Sequence, residues 1–106
     1  MMGLSQKCVA AIRDWAESEP LILQAYVFGS RAKGVHRAES DIDLAIKVYG
    51  ATVGEALANG IFEKGRWLSD LQARLPMTVD LQPMQDDDIV VTPAVIDHGI
   101  LVFDRG

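Results

Sequence analysis

Residues 41–48, DIDLAIKV, alternate without a break: Ile42, Leu44, Ile46 and Val48 fall in one phase, Asp41, Asp43, Ala45 and Lys47 in the other. Successive side chains of a strand point to opposite faces, so the pattern predicts a strand with one aliphatic face and two acids side by side on the other. A helix through the same residues would scatter the aliphatic side chains around its circumference and bury none of them well. The chain must therefore build a sheet with at least one face under an apolar layer.

The remaining segments supply that layer. Leu4, Cys8, Ile12 and Trp15 recur at spacings of four and three and predict a helix over 4–15, ended by Glu17-Ser18-Glu19-Pro20. Residues 21–28 form an apolar and aromatic run, too short for a typical helix, and read as a strand covered on both faces. Gly29-Ser30 breaks it, and 31–40 is a polar, basic loop with room for one helical turn after Ser30. Thr52 with Glu55 makes a capping box. It opens a long helical stripe of Val53, Leu57, Ile61, Leu68, Leu71 and Leu75 ending at Pro76, in which Gly60 and Gly65 are candidate kinks or breaks. Met77, Val79 and Leu81 alternate with Thr78, Asp80 and Gln82 as a further strand. A Thr92 cap, Pro93 at the first helical position and Gly99 past the end frame a short helix before the strand 100–103. The order α-β-β-α-β-α-β lacks strict βαβ alternation, so the expected class is α+β, a mixed sheet with helices packed mainly on one face.

With 106 residues there is room for one core, and the expectation is a single domain over 1–106. Ten Lys and Arg against 15 Asp and Glu leave a net charge of -5, which repels phosphate backbones and argues against autonomous nucleic-acid binding. A single cysteine excludes an internal disulfide, no Cys/His cluster has zinc spacing, and Cys8 reads as a small core residue. No signal-peptide-like or membrane-spanning apolar stretch is present, and a cytoplasmic location is expected.

The chemistry gathers at the acids. Asp41 and Asp43 share a strand face, and Asp80 holds the matching polar phase of 78–82; if those strands are neighbours, three carboxylates converge. Their mutual repulsion would be relieved by a hard divalent cation, for which carboxylate oxygens are natural ligands, so Asp41, Asp43 and Asp80 are the candidate metal ligands. Alone, the Asp41/Asp43 pair is better read as the solvated face of an edge strand. The second feature is Gly29-Ser30, directly after a strand, where a glycine lets the backbone approach a ligand and the following amides and hydroxyl can hold a phosphate. GSRAKG is not a P-loop, because Val35 and His36 follow Gly34 where Lys and Ser or Thr are needed. Arg31, Lys33 and Arg37 read equally as nucleotide-attracting cations and as a solvated loop. His36 lacks a companion ligand, and His98 reads as a helix C-terminal residue facing the dipole. Asp86-Asp87-Asp88 reads as a solvated turn, and Trp15 and Trp67 as core, with Trp67 a partner anchor if exposed.

Gly29-Ser30, ten residues, Asp41-Ile-Asp43 and the later Thr-Val-Asp80-Leu together resemble the DNA polymerase β nucleotidyltransferase superfamily. The short gap and small size look most like its minimal nucleotidyltransferase (MNT) branch, commonly the antitoxin of MNT/HEPN toxin–antitoxin pairs. The resemblance runs from the strand at Leu21 to His98-Gly-Ile-Leu-Val-Phe103. It implies Mg²⁺-dependent transfer of AMP from ATP to a tyrosine hydroxyl of a HEPN ribonuclease toxin, with release of pyrophosphate. On it, Gly29, Ser30 and Arg31 hold the nucleotide, Asp41 and Asp43 ligate two Mg²⁺ ions, and Asp80 completes the acceptor-side metal site and takes the hydroxyl proton. Two other readings stand beside it. One is an antitoxin that neutralises its toxin by complex formation alone; the other, ranked last because no acceptor-binding domain fits, is transfer to a small molecule of the aminoglycoside type.

Overall fold

The computed structural model describes residues 5–33, 41–84 and 91–105. Four strands, β1 (Ile22–Phe28), β2 (Ile42–Val48), β3 (Val79–Pro83) and β4 (Ile100–Asp104), form one sheet in the order β3-β2-β1-β4. β1 pairs antiparallel with both β2 and β4, whereas β2 and β3 run parallel. The sheet is therefore mixed, as the element order implied. The parallel pair requires a crossover, and the long helix between β2 and β3 provides it.

That helix, α3 (Val53–Arg74), and α1 (Gln6–Glu17) cover one face. Ile42, Leu44 and Ile46, fully buried, meet Cys8, Ile12, Trp15, Trp67 and Leu71 there, so the aliphatic phase of DIDLAIKV is the core phase. Trp15 and Trp67 meet edge to face, ring centroids 6.4 Å apart, and fill the centre of this layer. Trp67 is 0% exposed and is no partner anchor. Ser5 caps α1 by accepting from the Cys8 amide, and Thr52 caps α3 by accepting from the Glu55 amide, the contact expected of that pair.

α3 is continuous, and neither Gly60 nor Gly65 splits it. Gly60 is buried facing Pro83 and Val48, where the helix lies against the sheet. At about 33 Å the helix is longer than the strands, which span roughly 23 Å, and in its leading half only Gly60 is buried. The expected stripe is thus buried only in part: Leu71 and Leu75 lie in the core, while Val53, Leu57 and Ile61 are exposed, with Phe62 89% exposed beside them.

The opposite face carries α4 (Val91–His98), seated by Val95 against Phe28 and Ala45. α4 starts at Val91, so Thr92 and Pro93 lie within its first turn rather than at the cap and first position; the missing amide of Pro93 costs nothing where amides have no intrahelical partner. Gly99 closes the helix by donating to the Val95 carbonyl at 2.8 Å, in a space a Cβ would overfill. Between β1 and β2 the helical turn expected after Ser30 is present as α2 (Gly29–Lys33). The readings of Leu4, His36, Arg37 and Asp86-Asp87-Asp88 lie outside the described residues.

Glu19 is the buried charged side chain of the described core, and Arg66 meets it bidentately at 2.6 and 3.0 Å while also holding Glu63. The guanidinium holds the Glu19 carboxyl below its usual range. A depressed native pKa stabilises the fold fully above the ordinary carboxylate pKa, and that stabilisation is lost as the pH falls through the lowered one. Glu19→Gln is therefore expected to lower the melting temperature by a few degrees at neutral pH, with the difference from wild type shrinking in acid, as followed by circular dichroism. Among the described residues no helix is long and apolar enough to cross a membrane.

Candidate active site

The acid phase of β2 emerges on the face that α4 only partly covers. Asp43 is paired in register with Asp80 on β3 and with Phe28 on β1. Paired residues on neighbouring strands share a face, about 4.8 Å apart in the pairing direction, so the two carboxylates stand next to one another. Their neighbourhood is electrostatically unfavourable: burial first, then the charge of Asp80 and a hydrogen bond with it, raise the Asp43 carboxyl above its usual range. Asp41 stands just before β2, exposed, and adds its charge to the same effect. Among the described residues no three His, Cys, Asp or Glu side chains form a ready cation cage.

Gly29 closes the site on the other side. It follows Phe28 directly and has φ of +72°, the left-handed conformation that L side chains adopt only at a cost. A Cβ at this position would fall on the Asp43 carboxylate, inside van der Waals contact of Oδ2. The bare glycine is what allows the start of α2 to lie against the acid pair. Ser30 and Arg31 follow within α2, and their side chains lie outside the described residues.

Two further residues belong to this arrangement. Gln82, two positions after Asp80 and on the same strand face, donates from Nε2 to Asp80 Oδ1 at 2.8 Å and fixes that carboxylate. Its polar place in the alternation of 78–82 was the available signal. His98, read from sequence as a dipole partner, does end α4, yet its Nε2 accepts the Gly29 amide hydrogen at 2.9 Å. The pair is 69 residues apart, and no local pattern announces it.

A groove of about 670 Å³ lies beside this site. Gln24, Tyr26 and Lys47 line it together with Thr52, Met84 and Thr92. Its lining runs from Tyr26, paired with Ala45 two residues along β2 from Asp43, to Lys47 two residues further on, so the groove begins roughly 7 Å from the acids. It lacks the acids and the glycine bend, which gather instead around Asp43 and Asp80.

A divalent cation suits this donor set. Mg²⁺ is commonly held by one or two carboxylates with the remaining positions left to water and substrate phosphates, so a full protein cage is not required. Burial and the neighbouring acid raise the Asp43 carboxyl, an unfavourable charge that a bound cation would relieve.

The site is thus an acid pair on adjacent strands of a mixed four-stranded sheet, beside a left-handed glycine. The family model "Polymerase beta, Nucleotidyltransferase" matches residues 10–106, and the chain belongs to that family. No curated protein matches it. Among solved structures it is similar to a chain of a toxin–antitoxin crystallised with AMP-PNP, at 22% identity over 91% of this chain and 73% of that one, TM-score 0.70. It is also similar to a chain of a tri-AMPylated Shewanella oneidensis HEPN toxin in complex with MNT antitoxin, at 20% identity over 95% and 73%, TM-score 0.66. A nucleotidyltransferase structure from Sulfolobus solfataricus aligns over 99% and 94% at 20% identity, TM-score 0.53. At these identities the likeness is one of fold.

Proposed function

We propose that this protein is an MNT antitoxin: a Mg²⁺-dependent adenylyltransferase that moves AMP from ATP to a tyrosine hydroxyl of a HEPN toxin partner. The observation that carries the reading is the register pairing of Asp43 with Asp80 beside the positive-φ Gly29. The toxin–antitoxin structures above, one with AMP-PNP and one with an AMPylated toxin, support the choice of nucleotide and acceptor.

In this reading Gly29 shapes the bend, and Ser30 with Arg31 holds the β and γ phosphates. Asp41 and Asp43 ligate Mg²⁺, with Asp80 completing a second, acceptor-side site. When bound, the ions supply neutralisation of charge on the triphosphate. The acceptor oxygen attacks the α phosphorus, its proton passes to the Asp80 carboxylate, the bond from the α phosphorus to the bridging oxygen breaks, and pyrophosphate leaves. Gln82, donating to Asp80, keeps one carboxylate oxygen occupied and orients the other. The chain is read as a single minimal domain acting in the cytoplasm.

The test is incubation with Mg²⁺ and the product of the adjacent gene, using ATP labelled in either the α or the γ position. α label is expected on the partner and γ label in free pyrophosphate; absence of α label on a folded partner would overturn the reading.

Neutralisation by complex formation alone is favoured by a different observation, the exposed Val53, Leu57 and Ile61 at i, i+4 and i+8 of α3 with Phe62 beside them. Apolar residues at this spacing on an exposed helix stripe suit a helical partner. Ile61→Asp is expected to weaken partner binding at least tenfold in a titration while leaving the melting temperature unchanged. If binding alone neutralises the toxin, a variant lacking the carboxylate pair will still protect cells.

A further inference from the structure

We propose that His98 is a positioning residue for nucleotidyl transfer, holding the amide of Gly29 so that the bend before α2 keeps its left-handed shape against Asp43. The inference rests on the nucleotidyl-transfer reading and adds to it a residue from the far end of the chain.

Three observations meet at this imidazole. Its Nε2 lies 2.9 Å from the Gly29 nitrogen and accepts its hydrogen, so the ring is neutral there with its proton on Nδ1. Nδ1 faces the Asp97 carboxylate at 3.4 Å, a contact that favours this tautomer. The ring is carried by an anchored helix: Val95, one turn earlier, is buried against Phe28 and Ala45, and Phe28 immediately precedes Gly29. The side chain of His98 is only 17% exposed, which limits replacement by water if the acceptor is removed.

The bond has two consequences. It fixes the peptide plane between Phe28 and Gly29, on which the positive φ of Gly29 depends. It also commits the Gly29 amide to the protein, so phosphate contacts from this segment begin at Ser30. Phosphate-binding groups that hold substrate and transition state alike act mainly on KM. Loss of the acceptor should therefore raise KM for Mg-ATP and leave kcat nearly constant.

His98→Leu removes the acceptor, whereas His98→Gln offers an amide oxygen at similar reach. Using the full chain and its partner, His98→Leu is expected to raise KM for Mg-ATP about tenfold, with kcat within about twofold of wild type, and His98→Gln to restore KM to within about threefold. A KM for His98→Leu equal to wild type would overturn the proposal, as would a His98→Gln variant as impaired as His98→Leu. A measurement without substitution covers the case in which a variant fails to fold. A through-hydrogen-bond ¹⁵N–¹⁵N coupling between Gly29 N and His98 Nε2 is expected in the wild-type protein, and its absence rejects the bond. Coupling present in a wild-type protein that transfers no AMP would instead overturn the reading beneath it and reduce His98 to a structural role.

Discussion

Replacing Asp43 with Asn should abolish AMP transfer and, in the same protein free of ligand, raise the melting temperature. The two effects have one cause. Asp43 faces Asp80 in register, partly buried, and its carboxyl is raised by burial and by the neighbouring acid. A raised native pKa means that the folded chain binds a proton more tightly than the unfolded chain does. Stability is therefore greatest below the ordinary carboxylate pKa and is lost as the pH climbs through the raised one. Asparagine carries no charge at either pH, so the gain in melting temperature should be present at neutral pH and vanish in acid. Activity should move the opposite way: removing a preorganised charge from the reacting centre costs about 10²–10³-fold or more. In the wild type, competition between protons and Mg²⁺ for Asp43 should make activity fall with acidity before an ordinary carboxylate would protonate. Calorimetry across pH beside a transfer assay reads both effects. A destabilised Asp43→Asn protein would contradict the electrostatic picture.

Gly29→Ala should damage both the fold and the transfer reaction. Left-handed backbone costs an alanine about 1–2 kcal/mol, and the new Cβ would land on Asp43 Oδ2. β2, held between β1 and β3, fixes the Asp43 backbone, so the clash is relieved by swinging the carboxylate away from its place beside Asp80. We expect a melting temperature lower by several degrees and transfer reduced about 10²-fold or more, because displacements near 1 Å at a reacting centre have effects of that size. The two parts separate in a double-mutant cycle. With Asp43→Ala already present, the added methyl should carry only its backbone cost, and the stability effects should be non-additive. Additive effects would show that the glycine and the acid do not press on one another.

How far the site is legible in sequence follows the range of each interaction. Strand alternation is local, so DIDLAIKV declared both its core phase and its acid phase, and Asp80 declared the matching phase on 78–82. That these strands are neighbours is not local; the crossover through α3 decides it, and the register of Asp43 with Asp80 is a property of the fold. The capping contact of Thr52 with Glu55 was legible because it closes within three residues. The exposure of Val53, Leu57 and Ile61 was not, because periodicity reports which residues share a helix face and says nothing about how far the sheet beneath extends. His98 was legible only in part for the same reason: its place at a helix end is local and was read as such, whereas the Gly29 amide it meets lies 69 residues away. Gly60 carried the signature of a break, yet α3 runs through it without interruption, because one unfavourable propensity is small beside the contacts of a 22-residue helix.

The most direct test of a carboxylate-pair transfer centre is intact-mass analysis of the helical partner after incubation with ATP, Mg²⁺ and either the wild-type protein or an Asp43→Asn/Asp80→Asn variant of matched stability. Wild type should add whole AMP units to a partner tyrosine and the variant none. Equal modification by the two proteins, or an unmodified partner from both, would contradict a centre built on Asp43 and Asp80.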